Sequence, residues 1–279
     1  MIKSISIWAF PGGMEGTLDP AEAMDKARAL GFEGIELAVS ETGHLTPDSD
    51  QATCRKFRDA ARARGVRIAS VACGLGWAKS LSDPDPARRK AAVDMHAKVL
   101  QVAKWLGTDA VLVVPGYVWI PWEPKTTPVP YETAYKLSVQ SVRKLAKTAE
   151  KLRVHACCEM VWNCMMYSPL EFKRYLTEVR SKYVNMYFDC GNMMAFGFPE
   201  HWIDILAPRI KRVHFKDFKR DPGGIAGFCD LLQGDVNYPA VMAGLKKARY
   251  KGPVTLETFN RTDDDLRKES AAMDRILAM

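Results

Sequence analysis

Short apolar runs alternate with amphipathic stretches along the whole chain. The apolar runs predict eight strands, at Ser4–Trp8, Gly34–Leu37, Arg67–Ala72, Ala110–Val114, Val154–Glu159, Asn185–Asp189, Arg212–Phe215 and Val254–Glu257. The amphipathic stretches predict eight helices, at Pro20–Leu30, Gln51–Arg64, Pro86–Leu106, Tyr131–Leu152, Pro169–Val179, Glu200–Leu206, Tyr238–Ala248 and Asp263–Ala278. Runs that are apolar at every position, such as Val111 to Val114, are typical of strands buried in parallel sheets.

This regular alternation predicts the fold class. Three of the helices begin with a capping residue followed by proline, at Asp19-Pro20, Asp85-Pro86 and Ser168-Pro169. Eight strand–helix units in sequence indicate an α/β protein, a closed (β/α)8 TIM barrel forming a single domain over residues 1–279. A doubly wound sheet is the alternative, but the segment Phe10-Pro11-Gly12-Gly13 after the first strand lacks the expected Gly-rich phosphate loop.

The cysteine pattern, the apolar segments and the net charge indicate the compartment and the class of partner. The seven cysteines form no C-x-x-C pair, the start of the chain lacks the apolar segment of a signal peptide, and no apolar stretch is long enough for a membrane. We therefore expect a cytoplasmic protein with no membrane partner. The formal charge is +7, but part of the excess lies on predicted helices, as at Arg55 and Arg62. Solvated helix faces explain it without a nucleic-acid partner.

Four residues at the ends of consecutive predicted strands carry the candidate chemistry. Glu159, Asp189, His214 and Glu257 end or nearly end strands five to eight. The ends of parallel barrel strands share one rim, and active sites of such barrels lie there. Three carboxylates and one imidazole suit one divalent metal ion. The donor types favour Mn²⁺, with Mg²⁺, Co²⁺ or Zn²⁺ as alternatives.

Several segments resemble a known superfamily. They are Leu30-Gly31-Phe32-Glu33-Gly34-Ile35-Glu36-Leu37, Tyr187-Phe188-Asp189-Cys190-Gly191-Asn192, Val213-His214-Phe215-Lys216-Asp217-Phe218 and Gly234-Asp235-Val236-Asn237-Tyr238-Pro239. They look like the sugar isomerase/epimerase superfamily of xylose-isomerase-like barrels. Within it the pattern is most similar to ketose 3-epimerases, such as D-tagatose 3-epimerase and L-ribulose-5-phosphate 3-epimerase. The resemblance covers nearly the whole chain.

The resemblance implies a mechanism. In the superfamily a divalent ion chelates O2 and O3 of a ketose or ketose phosphate and stabilises an enediolate. By position, Glu159 and Glu257 would be the acid and base that invert C3, and both would also bind the metal. Asp189 and His214 would be metal ligands only. The resemblance also implies a small-molecule sugar or sugar-phosphate substrate and a homo-oligomer, either a dimer or a tetramer.

Substrate-binding positions carry over by the same resemblance. Arg220 matches an arginine that contacts substrate oxygens in the family. Asn192 stands where the tagatose 3-epimerases have a substrate-binding histidine, and Met165 stands where they have a glutamate. These two departures leave the identity of the sugar open.

Other site candidates follow from their positions. Lys216, two residues after His214, faces the same way if the strand continues, so it could pair with Glu159 or Glu257, or bind a substrate oxygen or phosphate. Trp8 ends the first predicted strand, and Trp119 lies in a proline-rich loop, 115–130, that would cover the barrel mouth. Further wall candidates are Phe10, Trp122 and Trp162. For Glu36, at the end of the second strand, a structural hydrogen bond is favoured.

Other activities use the same barrel. A DNA repair endonuclease of this type needs extra histidines after strands three and four, and none is present there. An aldose–ketose isomerase, an inosose dehydratase, a hydroxypyruvate isomerase or a 3-keto-glycoside lyase could use the same metal and an enolate. A sugar-binding module without catalysis is a further alternative, but it would have no use for two glutamates on one metal.

Overall fold

Eight parallel strands close into a barrel in the computed structural model, which describes residues 1–279. The barrel strands are β1 (Ile2–Ser6), β2 (Gly34–Val39), β3 (Arg67–Cys73), β4 (Ala110–Val113), β5 (His155–Glu159), β6 (Val184–Asp189), β7 (Ile210–Phe215) and β10 (Pro253–Leu256). Strands β8 (Asp217–Phe218) and β9 (Phe228–Cys229) form a separate antiparallel hairpin. The barrel order is β1-β10-β7-β6-β5-β4-β3-β2, and β1 pairs with β2 to close it.

Helices connect the strands and pack on the outside. They are α1 (Pro20–Ala29), α2 (Gln51–Ala63), α3 (Pro86–Leu106), α4 (Tyr131–Leu152), α5 (Pro169–Val179), α6 (Cys190–Met194), α7 (Pro199–Leu206), α8 (Tyr238–Lys247) and α9 (Asp263–Ala278). The predicted single (β/α)8 TIM barrel is therefore confirmed. None of these helices is both long enough and apolar enough to cross a membrane.

Two hydrophobic clusters follow from the alternation of side chains along each strand. The larger one includes helix residues such as Val99, Leu145 and Phe172 together with outward-facing strand residues. A smaller cluster includes Leu112 on β4 and Cys157 on β5 and lies inside the barrel. This inner cluster forms part of the floor beneath the C-terminal rim.

Apart from shifts of a few residues at the ends of elements, the strands and helices differ from the prediction in three places. Strand β1 ends at Ser6 because Ile7–Ala9 forms a 3₁₀ turn, in which the Ser6 hydroxyl accepts a hydrogen bond from the Trp8 N–H at 3.4 Å. Trp8 therefore follows the first strand instead of ending it. Helix α6 and the β8–β9 hairpin were not predicted. Both are too short to show a hydrophobic period.

An arginine closes the N-terminal end of the barrel. Arg212 on β7 is buried, and its Nε donates to the carbonyl oxygen of Ala69 on the opposite strand β3 at 2.8 Å. Its guanidinium also pairs with the half-exposed Asp109. Partial burial would raise the pKa of Asp109, but the charges of Arg212 and Lys211 lower it from 3.8 to about 2.

We expect Asp109→Asn to lower the free energy of unfolding at pH 7 by up to about 1 kcal/mol, because Arg212 loses an anionic partner whose charge is partly screened by solvent. The pKa of Asp109 is depressed, so its stabilising contribution is present above pH 4 and is lost as the pH falls toward 2. Urea unfolding of both proteins between pH 7 and pH 3 measures the difference. Asp204→Asn, which changes an exposed pair with Lys247, is the control. A difference that stays constant down to pH 3 would contradict this account.

Candidate metal and active site

Four acidic and imidazole side chains meet inside the C-terminal end of the barrel. Glu159 and Asp189 are the last residues of β5 and β6, and His214 is the penultimate residue of β7. Glu257 directly follows β10, and its N–H still donates to the carbonyl oxygen of Phe215 at 3.1 Å. All four residues are buried, and one donor atom from each lies within 4.8 Å of those of the others. The sequence therefore identified a group that the fold brings together.

The imidazole of His214 lies among the three carboxylates. Its Nδ1 is 3.3 Å from Glu159 Oε1, 3.5 Å from Glu257 Oε1 and 3.9 Å from Asp189 Oδ2. The other oxygen of Asp189, Oδ1, accepts the Asn192 N–H at 2.8 Å and caps α6. Helix α6 thus fixes the Asp189 carboxylate so that Oδ2 turns toward the cluster.

A fourth carboxylate holds the far side of the His214 ring. Glu36 Oε1 lies 3.1 Å from His214 Nε2, while Glu36 Oε2 accepts hydrogen bonds from the hydroxyls of Tyr187 at 2.5 Å and Ser70 at 2.8 Å. In a neutral His214 ring, a carboxylate on Nε2 favours the tautomer with its proton there, so that the Nδ1 lone pair can bind a metal ion. Glu36 therefore makes a structural hydrogen bond, as the sequence analysis favoured, and this bond orients the candidate metal ligand His214.

Lys216 is the cation nearest to the cluster. Its Nζ contacts Glu257 Oε2 and lies 3.3 Å from Asp189 Oδ2. The rings of Phe228 and Phe259 lie 5.1 Å and 5.4 Å from it. Burial would lower the pKa of Lys216, but the charges of Asp189 and Glu257 raise it, so it stays an ammonium. Lys216 does face the same way as His214.

The two glutamates have opposite electrostatic environments. Burial, together with the charges of Glu257 and Asp189, raises the pKa of Glu159 to about 8, although a hydrogen bond from His214 opposes the rise. Burial would raise the pKa of Glu257 too, but Lys216 and His214 lower it. Burial alone would lower the pKa of His214, but Glu257 and Glu36 raise it well above its ordinary value. The buried group thus contains four carboxyl groups, including Glu36, but only two side chains that can carry a positive charge, Lys216 and His214.

The arrangement fits one divalent cation. Asp189 Oδ2 and Glu257 Oε2 are buried and face the Lys216 ammonium without accepting a hydrogen bond of good geometry, so each carboxylate oxygen keeps a lone pair for a metal ion. An ion bound at about 2.1 Å separates its donors by at most about 4.2 Å, so small side-chain shifts would close the cluster around it. A divalent charge would also offset the excess of buried carboxylates.

A cavity of about 890 Å³ opens above the cluster. Among the predicted positions, Trp8, Asn192 and Lys216 line it, as do Trp122 and Trp162. The cavity touches Glu159 and Glu257. Asp189 and His214 lie behind them and are not part of its wall.

Three aromatic wall residues were missed in the sequence. Phe259 follows Glu257 by two residues and so could have been found from the strand alternation. Trp77 lies in the loop after β3, and Phe228 belongs to the unpredicted hairpin. No periodic signal marks either of them.

Some predicted positions do not reach the cavity. Arg220 donates from Nε to the Met194 carbonyl at 3.2 Å and from Nη2 to the Gly197 carbonyl at 2.6 Å, and its guanidinium stacks 4.5 Å from the Phe198 ring. Trp119 is half-buried in its loop and does not line the cavity. Phe10 and Met165 are buried in the core, also outside the cavity wall. Substrate contact by Arg220 or Trp119 stays a prediction that the cavity does not support.

Comparison with known proteins agrees with the fold. L-ribulose-5-phosphate 3-epimerase UlaE of Escherichia coli is 24% identical over 254 residues, which cover 90% of this chain and 86% of that protein. A D-psicose 3-epimerase structure obtained in the presence of D-fructose superposes with a TM-score of 0.82 at 19% identity, covering 100% of both chains. A D-psicose 3-epimerase with D-tagatose from Clostridium cellulolyticum H10 gives a TM-score of 0.81 at 21% identity, covering 99% of both chains.

At these identities the superpositions establish the fold. The family assignment depends on a profile match over nearly the whole chain. The model of the xylose isomerase-like TIM barrel family matches residues 24–276. This chain therefore belongs to the xylose isomerase-like TIM barrel family.

Proposed function

We propose that the protein is a divalent-metal-dependent isomerase that epimerises a ketose at C3. The observation that carries the proposal is that only two of the four cluster residues line the cavity. Glu159 and Glu257 come from β5 and β10, the outer two of four neighbouring strands, and both face the cavity. Asp189 and His214 come from the inner two strands and lie behind. The two glutamates thus flank the place where a sugar would bind.

The four residues would hold one divalent ion, with Mn²⁺ favoured. When bound, the ion supplies positive charge that acidifies the C3–H bond next to the ketose carbonyl and stabilises the enediolate. Glu257, kept ionised by Lys216, accepts the C3 proton. Glu159, on the other side of the sugar, returns a proton to C3. In the reverse reaction the two glutamates exchange roles. In either direction the sugar loses one proton from C3 and receives one there, so its composition does not change.

The remaining cavity residues would bind and shield the sugar. Lys216 holds Glu257 in place and can donate to a sugar oxygen. Trp8 and Trp162 offer apolar ring faces for the C–H groups of the sugar, and Asn192 offers an amide. The names of the relatives, L-ribulose-5-phosphate and D-psicose 3-epimerases, support a C3 reaction.

Deuterium exchange tests this proposal. The Mn²⁺-loaded protein is incubated in D₂O with ketoses and ketose phosphates, and the sugars are examined by NMR after the metal is removed. Deuterium at C3 together with a new C3 epimer is the expected result. Label at C1 or C2 with an aldose product would assign an aldose–ketose isomerase instead. Absence of exchange would redirect the search to inososes and 3-keto-glycosides.

Asp189→Asn tests the metal site. The amide oxygen can still cap α6, but the charge of Oδ2 is lost. We expect Mn²⁺ affinity to fall by more than about 100-fold, because residues that merely support metal ligands already contribute about 10–100-fold. Calorimetric titration and the Mn²⁺-dependent rise in Tm measure the change. Asp94→Asn, at an exposed pair with Lys90, is the control. Unchanged affinity in Asp189→Asn would exclude this residue as a ligand.

Glu257→Gln tests the proposed base. At saturating Mn²⁺ we expect turnover to fall by about 10²–10⁴-fold, because the amide cannot accept the C3 proton. Sugar affinity, followed by calorimetry, should largely persist. A protein that only binds sugar would show weaker metal binding and little other change. Retention of C3 exchange would contradict the assignment.

Glu36→Gln tests the support of His214. The fold should persist, while Mn²⁺ affinity should fall by about 10-fold because the anion that fixes the ring tautomer is lost. Ser70→Ala is the matched variant, since it removes one hydroxyl donor to Glu36 and keeps the carboxylate. We expect its effect on Mn²⁺ affinity to be smaller. Equal effects of the two variants would argue against orientation by the Glu36 charge.

A further inference from the structure

The cavity has a charge opposite to that of the whole chain. The protein carries a formal charge of +7. The cavity wall, however, contains seven carboxyl groups and only two cationic side chains, Lys216 and Arg261. The basic excess of the sequence thus lies outside the site. A divalent ion at the metal cluster would leave the formal charge of the wall negative.

Both cations of the wall already have anionic partners. Lys216 lies against Glu257 and Asp189 and is flanked by two phenyl rings. Arg261 Nη2 donates to Asp230 Oδ1 at 2.6 Å. The Nε of Arg261 is buried and does not reach the cavity surface. Asp230 thus offsets the charge that Arg261 would present to an anion, and Glu257 and Asp189 offset that of Lys216.

The rest of the wall near Arg261 is also acidic. Glu269 on α9 is buried, and its Oε2 accepts the Leu231 N–H at 3.0 Å. At the mouth, the exposed side chains of Glu15 and Glu41 line the cavity. Lys79 lies 3.7 Å from Glu41 but is not part of the wall. The distal part of a bound sugar would therefore meet carboxylates and aromatic rings.

A phosphate group requires different surroundings. A phosphomonoester carries about −1.5 to −2 charges at pH 7 and is bound by arginine forks, lysines or backbone N–H groups. Adjacent glycines can offer backbone N–H groups to an anion, but Gly223 and Gly224 lie in the connection between β8 and β9 and do not line the cavity. Placing a dianion against a wall of net negative formal charge is unfavourable.

We propose that the site takes an uncharged sugar and discriminates against its phosphate ester. This inference rests on the proposed epimerase function and specifies its substrate class. It separates this chain from a relative named for L-ribulose-5-phosphate. Within the wall, Asp230 is the specificity residue, because it occupies the one arginine that could otherwise receive a phosphate.

Matched substrate pairs test the inference. The Mn²⁺-loaded protein, with metal in excess over phosphate, is assayed for C3 exchange on L-ribulose and L-ribulose 5-phosphate, D-fructose and D-fructose 6-phosphate, and D-tagatose and D-tagatose 6-phosphate. For the best pair we expect kcat/KM to favour the uncharged sugar by about 10-fold or more. A preference for the phosphate would overturn the inference and leave the epimerase function standing. Failure of every pair to exchange at C3 would overturn both.

A variant tests the role of Asp230 separately. In Asp230→Asn the charge that occupies Arg261 is removed. We expect the ratio of kcat/KM for the phosphate to that for the free sugar to rise by about 3–10-fold, a gain typical of one screened charge pair. Asp204→Asn, at a distant exposed pair, should leave the ratio unchanged. An unchanged ratio in Asp230→Asn would overturn the assignment of Asp230 as the specificity residue.

Discussion

The hydrogen bond between Glu36 and His214 is the contact on which the arrangement of the site depends. It joins β2 to β7 across the barrel interior, and both residues are fully buried. Tyr187 and Ser70 fix Glu36 in turn. The His214 ring is thereby held with Nδ1 toward Glu159, Asp189 and Glu257. Buried charged groups are costly unless they are paired, so a cluster of this kind persists only with such support.

The barrel register explains why these residues converge. Asp189 and His214 are direct register partners on β6 and β7, and Glu159 lies opposite Tyr187 on β5 and β6. Inward-facing residues of neighbouring parallel strands stand side by side, and at the C-terminal rim they border the cavity. The same geometry separates two pairs of residues. Glu159 and Glu257, on the outer two of the four strands, line the cavity, whereas Asp189 and His214, on the inner two, do not.

The fold and the four-residue cluster could be predicted because each depends on local patterns. Strand ends are visible as apolar runs, and alternation fixes which side chains face inward. The contact of Glu36 with Tyr187 could not be predicted, since 151 residues separate the two and no local signal marks it. The hairpin that brings Phe228 to the wall is too short for periodicity. Arg220 marks the limit of resemblance: its position matches the family, but its guanidinium contacts backbone carbonyls beside α6.

The proposed chemistry requires that one divalent ion binds among Glu159, Asp189, His214 and Glu257. Anomalous X-ray diffraction at the manganese edge, from crystals grown with Mn²⁺, tests it most directly. We expect a single anomalous peak within about 2.0–2.4 Å of one donor atom from each of the four residues. A peak elsewhere on the chain, or no peak at saturating Mn²⁺, would contradict it.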